Sequence, residues 1–129
     1  WATVLELLRQ EAKGCCFMIH SFFAAKDLLH RFLDCGAFLS YSLKRFEREP
    51  DRLRELIVST PEDRLLLETD FPYSEKKKSG SLSETDYGTQ LRKIYETAAE
   101  TKKMDLHRLQ ETAWKNGSFF LHGNLNRSF

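Results

Sequence analysis

The stretch Arg64-Leu65-Leu66-Leu67-Glu68-Thr69-Asp70-Phe71-Pro72-Tyr73 carries most of the information about the fold. Its leucines form a short apolar run of the kind found in strands buried on both faces. The run stops at Glu68-Thr69-Asp70, and Pro72 blocks any further ladder. Side chains alternate along a strand, so Leu66, Glu68 and Asp70 share one face and Leu65, Leu67 and Thr69 the other. Two carboxylates on one face of a buried strand need a cation, a proton or a salt-bridge partner.

Outward from this strand, the pattern alternates. Upstream, Ala37 to Ser42 and Cys15 to His20 read as strands, the latter apolar enough to be buried on both faces. Between and around them lie amphipathic helices: residues 2 to 13 stopped by Gly14, residues 27 to 35 stopped by Gly36, and a third opened by Pro50 and Asp51 and closed by Pro61. Downstream, residues 86 to 102 share an apolar face through Leu91, Ile94, Tyr95 and Ala98. Asp105 then caps a helix carrying Leu106, Leu109 and Ala113. Ser74 to Thr85 is rich in Ser and Lys and reads as an exposed loop. The alternation predicts an α/β fold of three parallel strands with flanking helices. Such a fold is a small sheet domain or an arc of a (β/α)8 barrel, for which about 250 residues are typical. The chain has 129 residues.

In parallel α/β folds chemistry gathers at the C-terminal ends of the strands. His20 ends the first strand, Ser40 and Ser42 the second, Glu68 and Asp70 the third. A neutral imidazole converging with carboxylates is a donor set for a divalent metal. The blander reading keeps its place: a strand-end His is usually a hydrogen-bonded one, and Glu-Thr-Asp before a Pro is usually a turn. Ser40 and Ser42 read most simply as strand residues near solvent.

Composition excludes little. Lys and Arg number 20 against 19 Asp and Glu, a net charge of +1, which argues neither for nor against nucleic acid. No apolar run is long enough to span a bilayer, so no membrane partner is expected. Three cysteines, two of them adjacent, read as reduced thiols and a cytoplasmic setting. Trp1 opens the chain without Met, and the expectation is a piece of a longer protein.

The stretch 64–73 also resembles the signature "LLxETDxPY" of the TatD family of metal-dependent hydrolases. His20-Ser21-Phe22 resembles that family's "HCFSG" segment, Gly36 to Ser42 its "GxYISFS" strand, and Asn116 stands where the family has an Asn late in its last helix. The resemblance runs from about Trp1 to His122. It implies a partial TIM-type barrel, with residues 1–129 as the C-terminal half, strands six to eight. It implies a divalent ion (Mg, Mn or Zn) held by His20 and Asp70. Asp70 then acts on the attacking water, with Glu68 in support behind the ligands. It also implies that the family's other metal ligands lie upstream of this chain. Two departures stand out. His20-Ser21-Phe22-Phe23-Ala24 replaces the family's small Gly region with a bulky Phe, and the family's Asn-Glu-Pro segment has no Pro counterpart near Glu84-Thr85-Asp86-Tyr87.

The resulting expectation is a TatD-like deoxyribonuclease with DNA or another phosphodiester as substrate, active only with its missing N-terminal half. Lys76, Lys77 and Lys78, just past Asp70, are phosphate-binding candidates, although charge runs are usually solvated faces. Two alternatives stand beside it: a non-catalytic degenerate scaffold or binding module, and a hydrolase of small amide-type substrates. An open arc also leaves strand edges bare, so self-association of the chain is expected.

Overall fold

The computed structural model describes residues 1–70 and 84–123, with side chains for 1–70 and 87–123. The elements run α1 (Ala2–Glu11), β1 (Met18–Ile19), α2 (Lys26–Asp34), β2 (Phe38–Ser42), α3 (Leu43–Arg48), α4 (Pro50–Ser59), β3 (Leu65–Glu68), α5 (Glu84–Lys102) and α6 (Leu106–His122), with a 3-10 turn at Glu62–Arg64 before β3.

Local chemistry sets the boundaries. Gly36 adopts φ +85, and its N–H reaches the Leu33 carbonyl at 2.8 Å, closing α2 with the left-handed turn that glycine permits. Pro50 stands at the start of α4, where a missing N–H costs nothing. The Asp105 carboxylate accepts from the Arg108 N–H at 3.1 Å and caps α6 as its sequence predicts.

The strands form one parallel sheet in the order β1-β2-β3. Met18 pairs with Phe38, Ser40 with Leu66 and Ser42 with Glu68. Leu39, Tyr41 and Leu65 point into the main core with Leu5, Leu29 and Ile57. The rings of Phe22 and Phe32, and of Phe22 and Tyr41, meet edge to face there. The opposite sheet face carries Phe38, Ser40, Ser42, Leu66 and Glu68. At its start, Phe38 is covered by Phe119 and Phe120 of α6, centroids 6.1 Å away in each case.

Two polar ties lock helices to the sheet. Thr60, just after α4, gives its hydroxyl hydrogen to the Leu56 carbonyl at 2.9 Å. The Tyr41 hydroxyl, 2.7 Å from the Thr60 Oγ1, must therefore be the donor of that pair. The Thr60 carbonyl accepts from Lys102 Nζ at 2.7 Å, bringing in the end of α5. The second tie is Asn116, whose Nδ2 donates to the carbonyls of Glu62 and Leu65 at 2.7 and 2.8 Å.

Three expectations need correction. The first strand is not buried on both faces: β1 has two residues at a sheet edge, and Met18 is 36% exposed. Apolar composition gives a strand its propensity, but neighbours on both sides give it burial, and among the described residues β1 has a neighbour on one side only. Ser40 and Ser42 are not near solvent; both are buried, because all five residues of the central strand β2 are buried. Finally, Leu43–Arg48 forms a helix where none was expected. Its only inward residues, Leu43 and Phe46, are too few for a visible period.

Candidate metal centre

The end of each strand delivers one part of the site. β1 hands over to His20 and then to Ser21, which takes up the left-handed φ of +48. A non-glycine residue pays strain there, on the order of 1–2 kcal/mol. The turn is held by what its amides reach. The Ser21 N–H lies 3.0 Å from both Ser40 Oγ and Glu68 Oε1, and the Phe22 N–H donates to the Ser40 carbonyl at 2.8 Å. The chain after β1 is thus folded back over the ends of β2 and β3, which brings His20 across the sheet.

His20 then meets both carboxylates. Its Nδ1 is 2.6 Å from Glu68 Oε2, and its Nε2 is 3.6 Å from Asp70 Oδ1. One ligand atom from each of His20, Glu68 and Asp70 lies within 4.8 Å of the others. The imidazole side chain is 60% exposed, Asp70 26% and Glu68 16%. Burial pushes the Glu68 carboxyl above its ordinary value, opposed by the nearby His20 and by a hydrogen bond from Ser40, with Asp70 adding to the upward push. Glu68 has therefore found a partner in His20, with Asp70 on the other side of the ring.

The geometry distinguishes the three side chains. Glu68 engages Nδ1 and so fixes the ring and its tautomer, the arrangement that carboxylates adopt behind metal-ligating histidines. That leaves the Nε2 lone pair facing Asp70. Two ligand atoms each about 2.1 Å from one ion, at a tetrahedral angle, lie about 3.4 Å apart. The 3.6 Å between Nε2 and Oδ1 is too long for a hydrogen bond and suits a shared ion. The donor set of one imidazole and carboxylate oxygens also fits Mg, Mn or Zn.

Sequence reasoning passed over three parts of this arrangement. Ser40 positions both the Ser21 amide and Glu68. The Ser21 amide bridges two strands. Ser42, in register with Glu68, buries a hydroxyl that is the unpartnered buried side-chain polar atom among the described residues. The register could have shown both serines, since Ser40 and Ser42 share the face of Glu68. Asn116, singled out by the resemblance, sits at the other end of β3 and serves as a structural clamp there. Lys76, Lys77 and Lys78 lie outside the described residues.

The family model described as TatD related DNase matches residues 1–122. The chain is similar to the uncharacterized metal-dependent hydrolase YcfH of Escherichia coli (strain K12), 36% identical over 73 residues that make up 56% of this chain and 28% of that protein. Among solved structures, a hydrolase TatD family protein from Entamoeba histolytica superposes with a TM-score of 0.72 at 18% identity, over 93% of this chain and 47% of that one. YjjV, a TatD homolog from Escherichia coli K12, gives 0.74 at 17% identity, over 93% and 45%. The chain thus spans less than half the length of the structures it matches, and its three parallel strands and flanking helices are an arc of their TIM-type barrel. With a family match over nearly its whole length and the barrel arc beneath it, this chain belongs to the TatD related DNase family.

Proposed function

We propose that residues 1–129 are the C-terminal half of a divalent-metal-dependent hydrolase that cleaves phosphodiester bonds in DNA, and that strands contributed by the rest of the barrel complete its site. The observation that supports this most is the order Glu68, His20 Nδ1, His20 Nε2, Asp70: a carboxylate behind the imidazole and a carboxylate in front of it, 3.6 Å from the free nitrogen. When bound, a divalent ion supplies a Lewis acid for the phosphoryl oxygen and makes a water acidic enough to attack at neutral pH. The chain's own residues do the rest. Glu68 holds the His20 ring in one orientation. His20 and Asp70 present N and O donors to the ion. Asp70, the more exposed carboxylate, orients the attacking water and takes up its proton as oxygen bonds to phosphorus and the leaving oxygen departs.

The test is Asp70→Asn in the longer protein that contains this chain. The amide is nearly isosteric, so the fold is retained, while the anionic donor is lost. Metal-dependent hydrolysis of DNA should fall at least about a hundredfold, the scale seen when a group acting on the proton in flight is removed. Normal turnover in the variant removes Asp70 from its role. A wild-type protein that cleaves small amides and no phosphodiester favours the amide-hydrolase alternative, and one that cleaves neither favours a scaffold without catalysis.

A further inference from the structure

Three residues past His20 the chain carries Phe23, and two guanidinium groups lie over its ring. Arg45 Cζ is 5.3 Å from the ring centroid and Arg52 Cζ 4.4 Å. Both fall within the roughly 6 Å over which a cation is attracted to an aromatic face. The place of this cluster is fixed by the fold. Arg45 lies on α3, which begins directly after Ser42, the residue in register with Glu68. Arg52 lies in the first turn of α4. From His20 to Phe23 the backbone spans at most about 11 Å. The cluster is therefore a neighbour of His20, Glu68 and Asp70, at the same end of the sheet.

Both arginines are exposed. Among the described residues no carboxylate stands within 4.0 Å of Arg45, and Arg52 has Glu49 at 3.7 Å, a long solvated pair worth little. A ring contact consumes no hydrogen-bond acceptor, so the guanidinium N–H groups stay available to an outside anion. Resting on a shared ring also limits the side-chain freedom lost when that anion binds. Two such cations side by side on an open surface suit a polyanion with regularly spaced charges better than a single small ion. The planar N–H fork of arginine matches phosphate oxygens in particular.

We propose that Phe23, Arg45 and Arg52 form a phosphate platform that grips the backbone of a nucleic-acid strand a few nucleotides from the bond held at His20 and Asp70. The identity of the ligand rests on the phosphodiester reading above. Contacts of this kind are made to phosphates and carry no base preference.

The experiment uses the 129-residue chain in EDTA and a fluorescein-labelled oligothymidylate, with anisotropy followed over a salt series. The log–log salt slope of the wild type should shrink by about 0.7 in Arg45→Gln and again in Arg52→Gln, one released counterion per phosphate contact on a single strand. Arg9→Gln removes the same charge from an exposed site that shares its pocket with Gly14 and Cys35 at the other end of the sheet, and should leave the slope unchanged. Phe23→Leu keeps both charges, so it should weaken binding while leaving the slope near the wild-type value. Arginine variants indistinguishable from Arg9→Gln overturn the proposal. Absent salt-dependent binding in the wild type does the same. Competition by polyglutamate as strong as by unlabelled oligothymidylate also overturns it, in favour of an acidic protein partner. Because binding is read without metal, the two readings separate. Binding with the expected slopes in a protein that cleaves no phosphodiester defeats the catalytic reading alone, and cleavage with unaltered slopes defeats the platform alone.

Discussion

Ser42 occupies the N-cap position of α3, and its side chain makes no cap hydrogen bond. Serine is favoured there because its oxygen accepts from the first free amides of the helix. This one leaves its hydroxyl buried and unpartnered instead, which costs on the order of 1–3 kcal/mol. Ser42→Ala removes the unsatisfied group and leaves almost no void. The variant should melt a few degrees higher than the wild type by calorimetry, by about 1–2 kcal/mol. An unchanged or lower melting temperature means the hydroxyl is satisfied in solution. At this scale the sequence was informative about Glu68, because alternation along a strand is a local rule, whereas Asp70 lies two residues beyond the end of β3. The sequence reading misplaced Ser40 near solvent and was silent on the Ser21 amide, since both roles depend on which residue of a distant strand stands opposite.

At the scale of elements, Tyr41, Thr60 and Lys102 join β2, the end of α4 and the end of α5 through directed hydrogen bonds. Thr60→Val keeps shape and removes the acceptor of the Tyr41 hydroxyl, which is then buried without a partner. We expect a loss of about 1–3 kcal/mol in urea unfolding, and a smaller one for Tyr41→Phe, which removes the donor itself. Burial raises the Tyr41 hydroxyl well above its ordinary value of 10.0. The folded chain therefore keeps this proton where the unfolded chain releases it, and stability falls as pH rises past about 10. That alkaline decline should be shallower in Tyr41→Phe, with the remainder carried in part by Tyr95, which burial also shifts upward. Asn116→Ala strips two carbonyls at the entry to β3 of their donor and should cost about 1–3 kcal/mol by the same measurement. The helices with a full apolar period were legible in the sequence. α3 was not, since six residues hold too little of a period to be seen, and β1 was overestimated because a strand's length is set by what pairs with it.

For the whole molecule, the alternation of apolar runs and amphipathic stretches was enough to foresee three parallel strands in sequence order. It could not foresee that β1 would be a two-residue edge, since that depends on what lies beyond it. Among the described residues both β1 and β3 have one neighbour each. Bare parallel edges are templates for further pairing, so the 129-residue chain should self-associate, with a weight-average mass that rises with concentration in sedimentation equilibrium. A monomer at all concentrations would show that the edges are covered. The short β1 has one more consequence, which lies in time. Amides of β2, paired on both sides and wholly buried, should exchange with deuterium only through global unfolding, whereas those of Met18 and Ile19 should exchange through local opening. His20 hangs from that quickly opening segment, whereas Glu68 ends β3, which pairs with β2 over four residues where β1 pairs over two. The two halves of the site then keep different clocks until an ion ties them together, and added Mn should slow exchange at β1 while leaving β2 as it was.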